Sequence, residues 1–141
     1  MTHPIKLFTP GLIFRIVLAV IAGEFLLVLL TTIVQETIFG GITYTHSPIS
    51  HLLFGGAGTF LAAFIAGLAA YLLAGRKSVI PHIIISLLII AESIWLIFYR
   101  ESPDPLWFEA TAAFSLLLGV WLGALIFKID PEALSKLGNE V

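Results

Sequence analysis

The chain has 141 residues, 59% hydrophobic and only 11% charged, against about 25% charged in an ordinary soluble domain. A water-soluble globule this small cannot hide so much apolar surface, and a mean hydropathy of +1.06 also excludes a disordered chain. A net charge of −2 and the lack of cysteine remove a basic nucleic-acid face, disulfides and thiolate chemistry, leaving an integral membrane protein.

A helix needs about 20 mostly apolar residues to cross the hydrocarbon core. The first such span runs from about Leu12 to Val34. Lys6 and Arg15 resemble the charged start of a secretory leader, and Val20-Ile21-Ala22 loosely fits a cleavage site. Only seven apolar residues separate Arg15 from Gly23, and apolar sequence resumes after Glu24, so this span is expected to stay uncleaved. Gly40, Gly41 and Ser47-Pro48 break the pattern. The second span covers about Leu52 to Ala74 and ends in a tight Gly75-Arg76-Lys77-Ser78 turn. The third covers about Val79 to Tyr99. Ser102-Pro103-Asp104-Pro105 closes it, because prolines so near one another cannot sit inside a helix. The fourth covers about Leu106 to Phe127 and stops before Asp130-Pro131, with a short amphipathic tail over Pro131 to Leu137. The expected fold is all-α: a four-transmembrane-helix bundle formed by one membrane domain over 1–141.

Cations set the expected orientation. Lys6, Arg15, Arg76, Lys77, Lys128 and Lys136 all fall on one side of the four spans, and Arg100 stands alone on the other. The positive-inside rule then places both termini in the cytoplasm. The segment from about Gln35 to His51 and the turn from Arg100 to Pro105 face outward. Tyr44, Tyr99, Trp107 and Phe108 sit near that outer boundary, where amphipathic rings are favoured.

Small residues bring membrane helices into contact. The second span carries Gly58, Ala62, Ala66, Ala70 and Ala74 at every fourth position. The fourth carries Thr111, Ser115, Gly119 and Gly123, and the first carries Ala19 and Gly23. The plain expectation is packing within the bundle. The sharper one is that a stripe forms a face between copies of the chain.

Ionisable groups inside a span are costly, about 2.5–3.5 kcal/mol at the centre on insertion scales, and usually face the bundle interior. Glu24 lies about 18 Å along the helix from Leu12, and Glu92 about 20 Å from Val79. Both helices start on the same side, so the carboxyls share a depth with no cation beside them. They are candidates for a protonated, hydrogen-bonding form. Three readings stay open: local bonds to Thr31, Ser93, Ser115 or a backbone carbonyl, a proton or ion path, and a ligand site.

A second polar group gathers at the outer mouth: Glu36, His46, His51, Arg100, Glu101, Asp104 and Glu109. Two histidines and several carboxylates have metal-ligand chemistry. No tight spacing supports a metal site, and solvated loop residues or an ion pair of Glu109 with Arg100 or His51 is the expectation. No cofactor is implied. His82, after Pro81 in the first turn of the third span, is expected at headgroup level. Thr111 and Ser115 are read as packing hydroxyls, since no base lies beside them.

The order of these features resembles a widespread group of small bacterial four-span membrane proteins with no assigned activity. It is carried by Phe14-Arg15-Ile16 through Ala22-Gly23-Glu24, by the small-residue second helix from Ala62 to Lys77, and by Pro103-Asp104-Pro105-Leu106-Trp107-Phe108. Asp104 stands where a His is common in that group. The resemblance implies the architecture and a bacterial cytoplasmic-membrane setting, and no catalytic residue.

The leading functional expectation is a non-enzymatic accessory or interaction subunit, whose partners are the lipid bilayer and either a second copy or another membrane protein. One rival is a small proton- or ion-coupled transporter or channel using Glu24 and Glu92. Another is a ligand-binding or enzymatic site at the outer mouth.

Overall fold

The computed structural model describes residues 9–76, 78–99 and 104–125. Four helices, each long and apolar enough to cross a membrane, make up nearly all of this. The chain is thus an all-helical, multi-pass membrane protein. Helix α1 spans Pro10–Thr32 and continues into a π-helical segment, Ile33–Ile38; α2 spans Ile49–Leu73, α3 Ile80–Tyr99 and α4 Leu106–Leu125. These bounds lie within a few residues of the expected spans, except that the first is longer. Ile126, Phe127 and the expected amphipathic tail lie outside the described residues, as do Lys6, Lys77, Arg100, Glu101, Lys128 and Lys136.

The helix ends follow from local chemistry. Thr9 caps α1 by accepting the Leu12 N–H on its hydroxyl, and Pro10 takes the first helical position, where its missing donor costs nothing. Helix α2 ends in paired carbonyl closures: Arg76 N–H donates to Tyr71 O and Gly75 N–H to Leu72 O, both at 3.1 Å. This arrangement needs a left-handed residue after the cap. Gly75 supplies it at φ 79°, and Arg76 follows at φ 62°.

Around the bundle the helices run in the order α1, α2, α4, α3, with α3 returning to α1. Among the described residues α1 and α4 do not touch. The most extensive interface joins α2 and α4, which run parallel at backbone contact. A Cβ on Gly67 would strike the Val120 carbonyl, one on Gly123 would strike Phe64 O, and one on Gly119 would lie 2.8 Å from both Ala63 Cβ and Phe60 O. Lacking hydrophobic drive in lipid, such close approach is how helices gain dispersion contacts.

The sequence stripe of α2 faces a different neighbour. A Cβ on Gly23 of α1 would lie 3.1 Å from Ala70 Cβ and 3.5 Å from Ala66 O, and one on Gly58 would lie 2.8 Å from Val34. Ala62, Ala66, Ala70 and Ala74 are buried and Gly58 is half-buried. Gly119 and Gly123 are buried against α2, whereas Thr111 is exposed. Ala62, Ala66, Ala70, Ala74, Gly119 and Gly123 are thus covered by contacts within the chain. The core between the helices is completed by Leu27, Ala63, Ile85, Ile89 and Val120.

Candidate functional site

The two membrane glutamates lie on the parallel helices α1 and α3. Their situations differ. Both carboxyl oxygens of Glu24 are buried, with no hydrogen-bond partner. Glu92 is exposed on the outer surface of the bundle, flanked by Leu88 and Trp95, which are also exposed. The expectation that both face the interior therefore fails for Glu92. Glu92 lies seven residues after Ile85, on the same side of the helix, but the buried residues of α3, Pro81, His82, Ile85 and Ile89, all fall in its first half, so that side is left uncovered at the level of Glu92. The expected local bonds are also missing. The hydroxyl of Thr31 donates to Leu27 O at 2.7 Å and that of Ser93 to Ile89 O at 2.7 Å. Each hydroxyl thus serves its own helix, and Ser115 lies elsewhere, at a cavity.

His82 departs from its expected place at headgroup level. It is fully buried, and its Nε2 donates to the carbonyl of Gly67 at 2.9 Å. The ring lies against Tyr71 and Trp121, at centroid separations of 6.3 and 6.0 Å. Trp121 in turn donates from Nε1 to Ser86 Oγ at 3.0 Å. Position in the sequence suggested a boundary residue. His82 lies on the same side of α3 as the buried Ile85 and Ile89, and the carbonyl of Gly67 satisfies its ring N–H there.

At the end of the bundle where α2 and α4 begin, a cavity of about 320 Å³ opens between the helices. Its polar lining is Gln35, Thr59, Asp104, Glu109, Thr111 and Ser115, and its apolar lining includes Ile42, Leu52, Leu96 and Phe108. The π-helical segment positions Gln35, whose Nε2 donates to Thr59 Oγ1 at 3.3 Å. Asp104 accepts the Tyr44 N–H at 2.9 Å, which ties the connection between the first two helices to the start of α4. Tyr44 also packs on Trp107 and Phe108, at centroid separations of 5.0 and 5.5 Å.

The expected outer-mouth cluster is only partly assembled. Glu109 lines the cavity. Glu36 is exposed on the π-helical segment, and His51 lies against the Phe39 ring at 5.2 Å. Arg100 lies outside the described residues. Among those described, no group of three or more potential ligands is arranged to hold a metal. Sequence reasoning named Glu109 but not Gln35 or Thr59. The π-helical turn that swings Gln35 toward α2 leaves no mark in the hydrophobic pattern.

Fold and site together define a multi-pass membrane protein with a packed helical bundle, a mid-helix carboxylate exposed on its outside and a polar cavity at one end. No family model, curated protein or solved structure matches the chain.

Proposed function

We propose that the chain is a non-enzymatic interaction subunit of a membrane complex, and that the α1–α3 face around Glu92 receives a transmembrane helix of a different protein. The setting of this reading is a bacterial cytoplasmic membrane with both termini inside. One observation carries it: Glu92 is exposed at mid-helix, where lipid would surround it. Carboxylates within spans normally turn toward protein or water. A neighbouring helix bearing a hydrogen-bond donor or a cation would shield Glu92 from lipid and pair with it.

The occupant is a different chain because of charge. Among the described residues the cations are Arg15 and Arg76. Arg15 approaches Gly75, at the end of the bundle where α1 begins and α2 stops, far from Glu92. A second copy, placed symmetrically, offers further carboxylates at this depth. A proton or ion path has less support, since neither Glu24 nor Glu92 lines the cavity.

The test is extraction from native membranes in mild detergent, followed by native mass spectrometry. Wild-type chain should emerge with a different polypeptide whose span carries Lys, Arg, His, Asn or Gln, and Glu92→Leu should emerge without it. Wild-type chain emerging alone or as a homo-oligomer contradicts the reading.

A further inference from the structure

At the end of the bundle where α1 begins and α2 stops, two cations share one corner. Arg15 Nη1 lies 3.4 Å from where a Cβ on Gly75 would stand, and Arg76 is the next residue. Both arginines are exposed. Among the described residues neither guanidinium has a hydrogen-bond or ion-pair partner. Along α1 the first carboxylate after Arg15 is Glu24, nine residues on, or about 14 Å by the helical rise. The other described carboxylates lie farther toward the opposite end of the bundle. Like charges held at one corner repel, and an anion between them reverses the sign of that interaction.

The backbone points the same way. Arg76 has φ 62°, a left-handed conformation that Gly and Asn adopt far more readily than Arg. Gly75 already supplies the left-handed residue that closes α2, so a second one bearing a long cationic side chain is not needed to end the helix. Backbone strain of this kind collects at ligand sites. Arg76 also lies in the connection between two helices long and apolar enough to cross a membrane, which sets the corner at the bilayer boundary. Leu18, one turn beyond Arg15 on α1, and Leu73, in the last turn of α2, are 42% and 39% exposed. They carry the corner from the boundary into the hydrocarbon.

We propose that this corner binds the phosphate of an anionic phospholipid. Arg15 and Arg76 hold the headgroup, since a guanidinium presents forked N–H donors that match phosphate oxygens, and Leu18 and Leu73 lie along an acyl chain. Basic corners between membrane helices are suited to such headgroups. A zwitterionic headgroup brings an ammonium toward the same two cations, so a headgroup of net negative charge is preferred. A soluble phosphate gains nothing from the apolar flank. The site is separate from the Glu92 face and does not depend on a partner there.

The test reconstitutes the full chain in vesicles of equal parts phosphatidylglycerol and phosphatidylcholine with the same acyl chains. The chain is then extracted in mild detergent, and native mass spectrometry counts the lipid it retains. Wild-type chain should retain phosphatidylglycerol over phosphatidylcholine by about tenfold or more, the usual scale of one charge-assisted contact. Arg15→Gln and Arg76→Gly should each lower phosphatidylglycerol retention by a similar factor. Arg76→Gly relieves the left-handed backbone, so a loss there is not a loss of folding. Lys136→Gln removes one positive charge elsewhere in the sequence and should leave retention unchanged. Equal retention of the two lipids, unchanged retention in either arginine variant, an equal loss in Lys136→Gln, or displacement of phosphatidylglycerol by excess inorganic phosphate overturns the proposal.

Discussion

The Nε2–H of His82 on α3 points at the carbonyl oxygen of Gly67 on α2, 2.9 Å away. It joins two helices that otherwise share the least surface of any touching pair among the four helices. His82 and Gly67 are both buried, so the bond is shielded from competing water. Replacing His82 by Phe keeps an aromatic ring and removes the donor. The expected loss is about 0.6 kcal/mol, the average for hydrogen bonds between membrane helices, and no more than about 1.7 kcal/mol. His82→Ala also leaves a void and should cost about 2–5 kcal/mol. Unfolding in mixed micelles, followed by circular dichroism, separates the two. A His82→Phe variant as stable as the wild type would show that the bond contributes nothing beyond packing.

Trp121 and Ser86 link α4 to α3 in the same way, at 3.0 Å. Ser86→Ala should destabilise the bundle by about 0.6–1.7 kcal/mol and shift the Trp121 fluorescence, because the indole N–H loses its acceptor. An unchanged emission spectrum in a variant retaining only Trp121 among the tryptophans would refute this.

The glycines of α2 should respond in opposite senses. Gly67→Ala places a methyl group against the Val120 backbone, which cannot move aside as a flexible side chain can. Overpacking of this kind costs about 1–3 kcal/mol or more. Gly56→Ala meets open space and removes a helix-weakening glycine, so it should leave stability unchanged or raise it by up to about 1 kcal/mol. The same unfolding assay reports both.

Glu24 gives a prediction that runs against the usual effect of a core substitution. Its carboxyl oxygens are buried with no hydrogen-bond partner, a burden of about 1–3 kcal/mol. Glu24→Met should therefore stabilise the isolated bundle by about that amount. Destabilisation of the isolated chain would show that Glu24 is a structural element of the bundle.

Much of the fold is legible in the sequence. The four spans stand out because lipid demands long apolar runs and the breaks carry Gly and Pro. The every-fourth-residue stripe from Gly58 to Ala70 marks a real contact face. Gly67 lies one position off that stripe and faces α4, so the tightest contact in the bundle is invisible to a pattern read along a single face. The depths of Glu24 and Glu92 follow from counting helical rise. Which of them turns outward does not, because both lie in almost wholly apolar helices, and the loss of cover over the second half of α3 leaves no mark in the sequence. The cavity depends on the π-helical turn at Ile33–Ile38, and neither turn type nor voids are written in hydrophobic periodicity.

The most direct test of the central claim places a photo-crosslinking residue at Leu88, one helical turn before Glu92 on the exposed side of α3, and for comparison at exposed Leu61 on α2. Irradiation in native membranes should join the chain to a different membrane polypeptide from position 88. No such adduct should form from position 61, or from position 88 when Glu92→Leu is also present. An adduct between two copies of this chain, or one that forms from position 88 whether or not Glu92 is retained, would contradict the account.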